Sequence, residues 1–254
     1  MKDTIFTGRF GRPLALASAL IIILLITAGL QSARAANNSA LKRTLQTYDK
    51  AKGYVADWMI TIQLGQNPPI RHRVSIEWKD NHHLIFTMEP DGQPPVTVAY
   101  LAVDVKSVLD GKNQWTLLPK RNIYTRDPLP KTDSHNPLAS FLPPFPELKE
   151  FSANQTAQAS TQNVHVYEAV QGAMHIKVQV DPVNDRFKEI DYSAMTSLGE
   201  LTVIAEPKQE TFNQKLMNRQ FKFAAPIGAK EVSSAELGYT GLLVGAHVVK
   251  THQK

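Results

Sequence analysis

The sequence predicts a mainly β fold with a minor helical part: one curved antiparallel sheet, an incomplete β-barrel of about ten to eleven strands, with an amino-terminal helix and a Pro-rich helical lid segment. Three observations predict it. Apolar residues alternate with polar ones in a series of short runs, one helical-period segment precedes the first run, and a proline-dense stretch interrupts the series halfway.

Asn37, Asn38 and Ser39 are helix-capping types, and Leu41, Leu45 and Tyr48 follow at i, i+4, i+7 spacing on one helix face that ends at Gly53. The period then changes to two. Tyr54, Ala56, Trp58, Ile60, Ile62 and Leu64 alternate with Val55, Asp57, Met59, Thr61 and Gln63, the pattern of a half-buried strand. After the turn Gln66-Asn67-Pro68-Pro69, Ile70, His72, Val74, Ile76 and Trp78 repeat it, which makes an antiparallel hairpin. Strands are expected at Leu84–Met88, Val96–Leu101, Val105–Leu109, Gln114–Leu118 and Ile123–Thr125, forming a meander. From Asp127 to Pro146 prolines exclude a central strand, and Leu138, Phe141, Leu142 and Phe145 suggest a packed lid. Strand patterning resumes over Val164–Val170, Met174–Val180, Phe187–Ala194 and Leu201–Ala205, and a last extended run is expected through Phe221 and Phe223 to Pro226.

The ends set the compartment. Lys2, Arg9 and Arg12 precede the apolar run Leu14 to Leu30, which closes on Ala33-Arg34-Ala35, the order of a cleavable signal peptide. Residues 1–35 are therefore expected to be removed, leaving residues 36–254 as one periplasmic domain. Without them, 28 basic and 23 acidic residues fall to 24 and 22. So small a surplus, with no basic run interleaved with aromatics, speaks against nucleic acid as a partner. The chain has no cysteine, so its stability must come from a core and not from disulfides, and no acylated cysteine anchors it.

Asp110-Gly111-Lys112, Trp115, Pro119, Asn122, Tyr124 and the Pro-rich stretch after them resemble a hairpin of the LolA-like superfamily of periplasmic proteins. Phe221-Lys222-Phe223 followed by Pro226-Ile227-Gly228-Ala229 is similar to that group's closing strand and turn. The resemblance implies a half-open barrel of about eleven antiparallel strands with helices plugging its mouth. It also implies a carrier or receptor of lipoproteins, or a regulator that senses them. At the arginine that helps hold the lid closed in true carriers the chain departs from the pattern, Arg71 and Arg73 being near it only by position. That departure points to a divergent branch.

Catalytic chemistry has little support. There is no Gly-x-Ser-x-Gly, Ser134 with Asp133 and His135 reads as a polar loop, and Glu77, Glu89, Asp104 and Asp110 form no discriminating acid pair. No catalytic residue and no cofactor is assigned, although an envelope hydrolase stays as a third hypothesis. His72 and His82-His83 fall short of the three or four ligands a zinc site needs, and no metal is assigned.

What remains is an apolar face. Trp58, Ile60, Ile62, Val74, Ile76, Trp78, Leu84, Phe86 and Met88, with Trp115, Phe141 and Leu142, are the expected ligand-binding residues for a lipid, lipoprotein or other acylated molecule. Burial of a 14-carbon chain is worth on the order of 10 kcal/mol, at about 0.8 kcal/mol per methylene. The alternatives are that the same residues are packed core, and that the half-barrel is a monomeric scaffold for envelope proteins.

Overall fold

The computed structural model of the chain describes residues 40–129, 156–161, 163–171, 174–196 and 199–233. The signal segment 1–35, Phe141, Leu142 and most of the Pro-rich stretch lie outside the described residues.

Helix α1 (Ala40–Asp49) buries Ala40, Leu41, Thr44 and Tyr48 on one face, with Leu45 packed beside them. Gly53, just past its end, has φ +91°, and a Cβ there would lie 2.2 Å from the carbonyl oxygen of Gln214. Both the backbone angle and the close approach require glycine.

Twelve strands follow: β1 (Tyr54–Leu64), β2 (Ile70–Asp80), β3 (His83–Pro90), β4 (Val105–Asp110), β5 (Asn113–Leu118), β6 (Ile123–Pro128), β7 (Thr156–Thr161), β8 (Val164–Gln171), β9 (Met174–Asp181), β10 (Arg186–Thr196), β11 (Gly199–Phe212) and β12 (Lys230–Glu231). They form one sheet in the order β12-β6-β5-β4-β3-β2-β1-β11-β10-β9-β8-β7. Two antiparallel meanders, β1 to β6 and β7 to β11, meet where β1 pairs with β11. The sheet is open, with β12 and β7 as its edges. Residues from β1–β5 and from β8–β11 share one core cluster with α1, so the sheet must curve around a common interior.

The burial pattern of β2, alternating strictly over its first seven residues, shows why period two in the sequence becomes an inner and an outer face. The Asp110-Gly111-Lys112 hairpin has a similar local cause. Asp110 Oδ1 accepts the backbone N–H groups of Lys112 and Asn113, Oδ2 accepts Trp115 Nε1–H at 2.7 Å, and Gly111 takes φ +93°. Burial opposes ionisation of Asp110, but these hydrogen bonds outweigh it and hold its pKa below the ordinary carboxylate value.

Three expectations need correction. Val96–Leu101 is not a strand but a 3-10 segment entered through Pro95. Because β3 pairs directly with β4, Met88 opposite Val105, no sheet position is left for it. The run to Pro226 is not a strand either. Residues 213–229, including a 3-10 turn at Asn218–Gln220, form a strap over the outer face of β2–β6. Along it Asn218 Oδ1 accepts from Lys79 Nζ, Phe221 packs edge-on against His83, and Phe223 stacks on Trp115. The strap then adds β12 in parallel beside β6, Lys230 opposite Ile123. The single open sheet of about ten to eleven strands is as expected, the two-residue β12 being its twelfth member. The strand expected at Leu201–Ala205 runs on to Phe212, because β1 supplies partners along its whole length.

Candidate functional site

Strand register places most of the predicted ligand-binding residues on the inner face. On β1 these are Trp58, Ile60 and Ile62, on β2 Val74, Ile76 and Trp78, and on β3 Leu84, Phe86 and Met88. Val74 stands opposite Trp58 and Met88, Ile76 opposite Phe86, and Trp78 opposite Leu84. All are buried except Ile62, which is partly buried and packs against the same cluster.

Trp115 is not brought to this face. Its neighbours Gln114 and Thr116 point inward, and the indole lies outside, 4.8 Å from the Phe223 ring and nearly parallel to it, with the Arg126 guanidinium 5.1 Å away. The alternation Gln114-x-Thr116-x-Leu118 carried this signal, but the three inward positions are not uniformly apolar, so the aromatic drew attention to the wrong face. Phe141 and Leu142 lie outside the described residues.

At one end of the interior a polar cluster ties the helix to the sheet. Tyr48 and Tyr54 hydroxyls donate to Glu210 Oε1 at 2.6 and 2.5 Å, and Trp58 Nε1–H donates to the Tyr54 oxygen at 2.9 Å. Arg186 lies over the Phe212 ring, 3.5 Å from its centroid. Burial raises the pKa of Glu210, the two tyrosines and Arg186 acting against the rise. Burial also raises both tyrosine pKa values, with the Glu210 charge adding to it.

Nearer the opposite end His72 is fully buried. Its Nε2 accepts the backbone N–H of Val103 at 3.0 Å, which fastens the segment after the 3-10 turn to the inner face. Burial lowers its pKa to about 4, so the ring is neutral at neutral pH. Among the described residues no group of three or more His, Asp or Glu is arranged to hold a metal ion.

Sequence reasoning missed four inward polar residues, Ser107, Gln114, Thr116 and Thr125, all buried. Their signal was a polar residue at an inward step of an otherwise apolar alternation, Val105-x-Ser107-x-Leu109 being the clearest case.

No protein-family model matches the sequence, and no curated protein matches it. Among solved structures the chain is similar to an uncharacterized conserved protein from Thermus thermophilus (TM-score 0.43, 12% identity, 76% of this chain and 96% of that one). It is similar also to a LolA superfamily protein from Nitrosomonas europaea (TM-score 0.34, 11% identity, 75% and 99%). A third likeness is to MucB in the MucA/MucB complex of Pseudomonas aeruginosa (TM-score 0.37, 10% identity), where the match covers 73% of this chain and 60% of that one.

Proposed function

We propose that the protein is a periplasmic, non-enzymatic carrier or receptor that takes the acyl part of a lipid, lipoprotein or other acylated molecule against the inner face of the open sheet. The observation that carries this reading is the register of that face: apolar side chains of β1, β2 and β3 stand opposite one another in consecutive rows, on a sheet whose end strands among the described residues are β12 and β7. Such a surface matches a flexible hydrocarbon chain, which needs area and not directed contacts. The amino-terminal residues Lys2 to Ala35, with the order of a signal peptide, support export. No helix among the described residues is long and apolar enough to cross a membrane.

A second reading is a scaffold for an envelope protein, without a lipid. It is favoured by the depth of burial, since Ile76 and Leu84 have no exposed surface. A fluorescent acyl probe separates the two. Saturable binding with energy transfer from Trp58 and Trp78 is the expected result, and absence of binding at any probe concentration leaves the scaffold.

A further inference from the structure

Six polar side chains are buried among the described residues: Thr44, His72, Ser107, Gln114, Thr116 and Thr125. Four of them form one block. Ser107 on β4 stands opposite Thr116 on β5, Thr116 stands opposite Thr125 on β6, and Gln114 precedes Thr116 by two residues on the same face. The block continues an apolar row, because Ile76 stands opposite Phe86 and Phe86 opposite Ser107. The inner face therefore changes character partway across: the apolar rows of β1–β3 give way on β4–β6 to a patch of neutral hydrogen-bonding groups set among Val105, Leu109 and Leu118.

The Ser107 hydroxyl is fully buried with no hydrogen-bond partner, and so is one group on the apolar side, Trp78 Nε1. Buried polar groups in folded proteins are nearly always paired, and an unpaired donor gains a whole hydrogen bond when an acceptor reaches it. All four groups of the block are hydroxyl or carboxamide. They can donate to a carbonyl oxygen, and none can neutralise an anion, whose burial without a counter-charge is heavily penalised.

We infer that the Ser107–Gln114–Thr116–Thr125 block is the polar half of the ligand site, selecting acyl chains held by a neutral ester or amide over the same chains ending in an ionised carboxylate. The inference rests on the carrier reading above. It adds a chemical class of linkage and the residues that recognise it.

The test is competition at pH 8 between a fluorescent acyl probe on the purified protein and three fourteen-carbon competitors: methyl myristate, myristate and tetradecane. Methyl myristate is expected to displace the probe at a concentration about tenfold below the other two, the factor one ordinary hydrogen bond supplies. In a Ser107→Ala/Thr116→Val protein that preference should vanish while tetradecane competes as before. Ser107→Ala alone should not lower the melting midpoint, since it deletes an unpaired hydroxyl. Equal competition by ester and acid in the wild type overturns the inference without any variant, and so does a preference that survives the double substitution. Both results leave the carrier reading standing. If the probe does not bind the wild type at all, the carrier reading falls and this one with it.

Discussion

Tyr48 in the amino-terminal helix donates its hydroxyl to Glu210 in the last long strand across 2.6 Å, joining residues 162 positions apart in the chain. Tyr54 donates to the same oxygen, so one half-buried carboxylate fastens α1 to the centre of the sheet. A carboxyl whose folded pKa lies above its unfolded value adds stability below the unfolded value and loses it as pH rises through the folded one. Glu210→Gln, which still accepts from both tyrosines, should therefore gain stability relative to the wild type between pH 4 and pH 8 in paired urea melts. Tyr48→Phe should cost about 1–3 kcal/mol, because it removes a hydrogen bond to a charged group. A pH-independent difference between Glu210→Gln and wild type would show that the carboxyl is solvated.

His72 works in the opposite sense. Its folded pKa of about 4 lies below the unfolded 6.5, so the unfolded chain binds the extra proton first and stability falls as pH drops from 6.5 towards 4. The slope is at most about 1.4 kcal/mol per pH unit, for a total on the order of 3 kcal/mol. His72→Gln keeps an acceptor for Val103 N–H but does not titrate. The wild type should lose stability relative to this variant across that window, and parallel pH curves for the two proteins would contradict the assignment.

The strap supplies a third test. Gly53 takes φ +91°, and an added Cβ would meet the Gln214 carbonyl oxygen at the strap's first turn. Gly53→Ala should therefore cost more than the 1–3 kcal/mol of backbone strain alone. Phe223→Ala removes the stack on Trp115, worth about 0.5–1.5 kcal/mol beyond the area it covers. Acrylamide quenching should then reach Trp115, and unchanged quenching would mean that Phe223 does not shield it.

The alternation of β1, β2 and β3 was legible because the inward steps there are apolar with the exception of His72, and the strands run for eleven, eleven and eight residues. The helix was legible from Leu41, Leu45 and Tyr48 alone. Where the reading failed, a local pattern served a non-local purpose. Phe221 and Phe223 alternate like strand residues, yet they dock on His83 and Trp115, contacts separated by more than a hundred positions in sequence. Val96 to Leu101 is apolar enough for a strand, but it lacks a partner edge. The polar block on β4–β6 was hidden for a related reason, since facing Ser107, Thr116 and Thr125 become a group only when the register is known.

Ile60 and Thr61 are chain neighbours on opposite faces, and they separate a ligand-lining face from a closed core. Ile60 is 3% exposed on the inner face, whereas Thr61 is half-buried on the outer face opposite Arg71. Thr61→Glu places a carboxylate across from a guanidinium and should leave stability within about 0.5 kcal/mol of the wild type. Ile60→Glu places the same charge on the buried inner face, between Ala205 and a His72 ring that burial keeps neutral, so at neutral pH no cation pairs with it. If the face holds an acyl chain, the variant has room to admit water beside the new carboxylate. It should then keep a cooperative melt with a lowered midpoint and lose binding of the fluorescent acyl probe, while Thr61→Glu keeps both. Should Ile60→Glu instead abolish the folded state while the wild type binds no probe, the inner face is packed core. The scaffold reading would then replace the carrier reading, because a sheet with a closed interior can engage a partner only through its edges or its outer face.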